Sequence, residues 1–104
     1  MRKKIIDELI ALGVPVGVFG FEYIVDAIEL IQDKEWRDGK IVALYYEISK
    51  KNNVPSTRVE RCIRSALESA LKNDASEELK MYLKAQEPTN RNILHALYYK
   101  ILGD

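Results

Sequence analysis

The sequence predicts an all-α fold: a compact bundle of about six helices with a helix-turn-helix formed by the third and fourth. Apolar residues recur at spacings of three and four almost throughout, and no window sustains the strict alternation of a half-buried strand. With 104 residues, 47% of them hydrophobic, the chain can bury one core but has no room for two. Residues 1–104 therefore read as one domain.

The first helix is expected from about Lys3 to Leu12, carrying Ile5, Ile6, Leu9 and Ile10, and "GVPVGVFG" breaks it with Gly13, Pro15, Gly17 and Gly20. The second, from Phe21 to Asp33, shows Ile24, Ala27, Ile28 and Ile31 as a single buried stripe. "DKEWRDGK" then closes that helix and turns the chain. A third helix, from Gly39 or Lys40 to Lys51, turns Ile41, Leu44, Tyr45 and Ile48 inward and sets Lys50 and Lys51 at its negative end. "NNVP" is a short turn, because Asn tolerates left-handed geometry and Pro55 cannot continue a helix. The fourth helix opens at Ser56 or Thr57, with Thr57 and Glu60 spaced as a capping box, and runs to Lys72. After "NDASEE" a shorter helix is expected through about Ala85. "EPTN" then starts the last one, Asn90 to Leu102, striped by Ile93, Leu94, Leu97, Tyr98 and Ile101.

Several classes of function find no support in the composition. Sixteen basic residues balance 16 acidic ones, so any attraction to nucleic acid, membrane or acidic substrate must be local. Cys62 is the single cysteine, placed on an apolar face where it reads as a small core residue and consistent with a reducing cytosol. No segment reaches the roughly 18 apolar residues that span a bilayer, and Asp7 and Glu8 interrupt the only signal-like start. No membrane partner and a cytoplasmic location are expected. The glycine-rich loop carries neither GxGxxG nor GxxxxGK[ST], so it is no phosphate cradle. His95 is the lone histidine and reads as a surface residue; no catalytic, cofactor or metal constellation surrounds it, and an enzyme is not expected. Trp36 and the tyrosines are scattered rather than interleaved with basic residues, as packing residues would be.

The stretch "PSTRVERCIRSALESALK" is more informative. At about 100° per residue, Val59, Cys62, Ile63, Ala66, Leu67, Ala70 and Leu71 share one side of the fourth helix. Arg61 points the opposite way, flanked by Arg58 and Ser65 on one side and Arg64 on the other, with Glu60 near the border. These residues suit a solvated face in which Glu60 pairs with Arg64, and Glu68 with Arg64 or Lys72. They equally suit the first two turns of a recognition helix, since arginine is shaped for bidentate contact with guanine or phosphate and Glu60 for a cytosine amino group.

"GVPVGVFGFEYIVDAIEL", "LYYEISKKNNVPSTRVERCIRSALE" and "EPTN" resemble, in order and spacing, the C-terminal DNA-binding effector domain of the sporulation master response regulators, stage zero sporulation protein A. The resemblance covers the chain from about Ile5 to Leu102. It implies a six-helix domain that binds double-stranded DNA at boxes related to TGTCGAA, contacts RNA polymerase and assembles as a homodimer on tandem sites. Carried over by position, Arg58, Glu60, Arg61 and Arg64 match the family's DNA-contacting helix, and Ser56 and Thr57 its phosphate-facing start. Ser65 stands where the family usually has histidine, and Glu87 where it has lysine before the PTN motif. A receiver domain precedes the effector in those regulators. With Met1 almost at the start of the pattern, a stand-alone relative is expected here.

Two functions follow. One is a sequence-specific, double-stranded DNA-binding transcription regulator using Ser56, Thr57, Arg58, Glu60, Arg61, Arg64 and Ser65. The other is a protein–protein interaction module that binds a related regulator or RNA polymerase, favoured by the neutral net charge, Ser65 and Glu87. Specific duplex binding weakens steeply with salt, whereas an adaptor shows little DNA affinity at any salt.

Overall fold

The computed structural model describes residues 1–72, 77 and 89–103, and every regular element among them is helical. In chain order these are α1 (Arg2–Ala11), α2 (Phe19–Ile31), α3 (Lys34–Asp38), α4 (Ile41–Asn52), α5 (Ser56–Leu71) and α6 (Asn90–Ile101). The short helix expected through Ala85, and Glu87 before the PTN motif, lie outside the described residues.

Helix α2 is the central rod and packs against each of the other described helices. Its burial is correspondingly broad, with only Phe19 and Glu22 exposed. Besides the expected stripe of Ile24, Ala27, Ile28 and Ile31, it buries Phe21, Tyr23, Val25 and the carboxylate residue Asp26. Its polar side is the narrow row of Glu22, Asp26 and Glu29. Val18 is its N-cap, so α2 starts two residues before the expected Phe21 and takes Gly20 into the helix rather than the loop. That glycine is needed: a β-carbon there would lie 2.3 Å from the carbonyl oxygen of Cys62 and 2.9 Å from the Ala66 side chain. The α2 backbone thus lies directly on α5.

"DKEWRDGK" is a helix as well as a turn. Asp33 caps α3 by accepting from the Glu35 amide at 3.0 Å, and Trp36 packs against the core. Arg37 then reaches back to the carbonyls of Ile31 and Gln32 at 3.1 Å each, satisfying C-terminal acceptors of α2, and to the Tyr98 hydroxyl of α6 at 2.8 Å. Five residues are too few to show a periodic stripe, and the two helices expected to form the helix-turn-helix are accordingly the fourth and fifth, α4 and α5. On α1, Ile5 and Leu9 are buried, whereas Ile10, expected in the stripe, is 48% exposed.

The α4–α5 turn follows the expected chemistry. Asn53 adopts φ 53° and ψ 49°, the left-handed C-cap, and its amide and that of Val54 return to Lys50 and Ser49 carbonyls. Beneath the turn lies Asp26, whose carboxylate accepts from Lys51 Nζ (2.9 Å), Asn52 Nδ2 (3.1 Å) and Arg2 Nη1 (3.3 Å). Arg2 also pairs with Glu22 and Glu29. One buried carboxylate therefore ties the start of α1, the middle of α2 and the end of α4.

Candidate nucleic-acid interface

Helix α5 divides sharply in two. Val59, Ile63, Ala66, Leu67 and Ala70 are buried, while Thr57, Arg58, Arg61, Arg64 and Ser65 are exposed. Cys62 is only partly buried and packs against the core. The inner face is anchored along the whole 16-residue rod, so the outer side chains project from a stiff base.

The three arginines differ in their surroundings. Arg64 forms an i, i+4 ion pair with Glu60, as the spacing suggested, and Glu68 takes neither Arg64 nor Lys72. Arg58 places its guanidinium carbon 4.8 Å from the centroid of the Phe19 ring, a cation–π contact. Arg61 is exposed and makes no ion pair with the described residues. Phe19 had no place in the sequence-derived site, because its position in a glycine-rich break belongs to no stripe.

The start of α5 departs from the expected capping box. Pro55, extended at ψ 147°, occupies the N-cap position, and no side chain caps the helix. The capping-box spacing requires Thr57 outside the helix, but Ser56 and Thr57 already lie within its first turn, and Glu60 is engaged by Arg64. The amides of Arg58 and Val59 bond the Pro55 carbonyl at 3.0 and 3.3 Å. The first amides of the helix, at Ser56 and Thr57, thus have no side-chain cap.

Neighbouring elements hold this face in place. Thr89 caps α6 by accepting from the Asn92 amide at 3.2 Å, and Asn90 donates to the Tyr45 hydroxyl of α4 at 3.0 Å and to the Glu60 carbonyl of α5 at 3.4 Å. Asn90 thereby joins α6 to both α4 and α5. Burial pushes the Tyr45 phenol up, against the opposing effects of the Asn90 hydrogen bond and the Arg64 charge. On the outer face of α4, Val42 and Tyr46 are exposed, and the Lys50 ammonium sits 5.1 Å from the Tyr46 ring centroid.

His95 is half-buried rather than fully at the surface. Burial lowers its basicity, Arg91 and Arg37 lower it further, and Asp38 and a hydrogen bond with the Arg37 backbone oppose them. Among the described residues no group of three or more His, Cys, Asp or Glu side chains is placed to hold a metal ion. Nor is any helix among them long and apolar enough to cross a membrane.

A sequence profile described as "Sporulation initiation factor Spo0A C terminal" matches residues 5–101. The chain belongs to that family. Spo0A C-terminal domains are DNA-binding effector domains of transcription regulation, and their role is regulatory rather than enzymatic. In this member of the Spo0A C-terminal family, the arginine-bearing side of α5 is the exposed face of the helix that follows the left-handed turn.

Proposed function

We propose that this protein is a sequence-specific, double-stranded DNA-binding transcription regulator that seats α5 in the major groove. The observation that carries this reading is the outward row of Arg58, Arg61 and Arg64 on a helix whose other side is buried and whose start directly follows the α4–α5 turn. Arg61, exposed and unpaired among the described residues, supplies the main base contact, and a bidentate fork to guanine suits it best. Arg64 joins after exchanging Glu60 for a base or phosphate, and Glu60 then accepts from a cytosine amino group or orients Arg61. Ser65 lies one position beyond and reaches the groove edge.

The uncapped amides of Ser56 and Thr57, with the Thr57 hydroxyl, meet a backbone phosphate at the positive end of the helix. Helix α4 crosses the phosphate backbone, as the first helix of such a unit does. Binding to TGTCGAA-related boxes, pairing of two copies on tandem sites, contact with RNA polymerase and a cytoplasmic location complete the proposal, supported by membership in the Spo0A C-terminal family. The whole chain acts as one domain.

The test is a fluorescence-anisotropy titration against a duplex bearing the TGTCGAA-like box and against a scrambled duplex, at two salt concentrations. Preference for the box, with affinity falling steeply as salt rises, is the expected result. Equal and negligible binding to both duplexes at low salt overturns it in favour of an adaptor that binds protein.

A further inference from the structure

Phe19 is 63% exposed, exceeded among the large hydrophobic residues described only by Met1 and Val42. It contributes nothing to the core, yet one of its few neighbours is the guanidinium of Arg58, 4.8 Å from its centroid. This pairing follows from the close approach of α2 to α5. Gly20 lets the two backbones meet at Cys62, and the residue before Gly20 is thereby brought beside the residue four positions before Cys62, one helical turn nearer the start of α5. An arginine in the first turn of a helix ordinarily samples many rotamers. Here an aromatic face on a rigid neighbour selects among them.

We infer that Phe19 is a positioning residue for DNA recognition: its ring presets the Arg58 guanidinium toward the groove, so that less side-chain freedom is lost on binding. The role rests on the DNA-binding function proposed above. Its physical content is that a cation on an aromatic face keeps its N–H donors free at the edge of the plane. The arginine can stack and donate to a base or phosphate together. A leucine at position 19 would fill similar space without an electron-rich face, and a tyrosine would keep one.

Four variants and one cycle test it with the box duplex. Phe19→Ala and Phe19→Leu are expected to weaken specific binding about two- to fivefold, the range of an exposed cation–π contact, while Phe19→Tyr binds as the parent does. In an Arg58→Ala background, Phe19→Ala is expected to cause no further loss, and both single variants are expected to relax discrimination at the same base pair. The free protein gives an independent reading: the Arg58 side-chain NMR signals lose their ring-current shift in Phe19→Leu, with thermal unfolding unchanged because the ring is exposed. If the parent prefers the box but Phe19→Leu binds equally well, or Phe19→Ala costs the same without Arg58, the positioning role fails and the DNA reading stands. If the parent shows no preference, the DNA reading fails and the positioning role falls with it.

Discussion

Gly20 of α2 sits so close to Cys62 of α5 that a β-carbon would come within 2.3 Å of the Cys62 carbonyl oxygen. The obstacle is backbone, which cannot swing aside as a flexible side chain would. Gly20→Ala is therefore expected to destabilise the fold by about 1–3 kcal/mol, outweighing the propensity gained by alanine in a helix. Urea denaturation checks this as a lower midpoint with an unchanged slope.

The Asp26 carboxylate is buried while its partners are not: the side chains of Arg2 and Lys51 are 39% and 60% exposed. When Asp26→Ala removes the acceptor, Lys51 returns to water, Arg2 keeps Glu22 and Glu29, and Asn52 keeps its bond to the Ile48 carbonyl. The expected cost is about 1–3 kcal/mol, that of lost hydrogen bonds to a charged group, and below that of stranding a buried charge. Lys51→Ala is expected to cost less than about 1 kcal/mol, since an exposed lysine contributes little. Denaturation of the two variants side by side measures the difference.

On the proposed reading face, Arg61 makes no ion pair with the described residues, whereas Arg64 would first have to leave Glu60. Arg61→Ala is expected to cost about 1–3 kcal/mol of specific binding and to relax preference at one base pair, with thermal stability unchanged. Arg64→Ala is expected to cost less, because the bound contact replaces an existing ion pair. Anisotropy with the box and single-substitution duplexes compares them. Unchanged affinity in Arg61→Ala would remove the main base contact from the proposal.

His95 imposes a pH dependence. Burial and the charges of Arg91 and Arg37 hold it below its ordinary value of 6.5 in the folded chain. Above 6.5 it is neutral in folded and unfolded chains alike and adds nothing to the slope. As pH falls below 6.5 the unfolded chain takes up the proton first, so stability declines until the folded value is reached. Replacing His95 with Gln is expected to remove this decline, so that the difference in unfolding midpoint between parent and variant changes as pH drops below 6.5. A constant difference across that range would count against it.

Much of the helix-turn-helix was legible because its signals are local. Asn53 takes the left-handed conformation that asparagine tolerates, Pro55 ends the turn, and the buried and exposed sides of α5 follow the helical repeat of its residues. Other features were not legible. Helix α3 is shorter than two turns and shows no stripe, so its segment read as a turn and nothing marked Arg37 as the residue that caps α2. The Thr57–Glu60 spacing matched a capping box, yet the helix begins two residues too early for Thr57 to cap it. Asp26 sits in a helix that reads as amphipathic, and nothing in its spacing reveals that Arg2 and Lys51 converge on it.

The sequence by itself determined that the chain is helical, where α4 gives way to α5, and that Arg58, Arg61, Arg64 and Ser65 leave α5 on the side opposite its apolar residues. A helical repeat places each side chain relative to its own axis, and that much needs no neighbour. Only the tertiary structure decided that α2 is buried beyond its single stripe, that Asp26 gathers three donors, that Arg64 is held by Glu60 rather than Glu68, and that Phe19 underlies Arg58. Most of these depend on how closely one helix crosses another, and that distance was set by packing at Gly20, where the absence of a side chain lets two backbones touch.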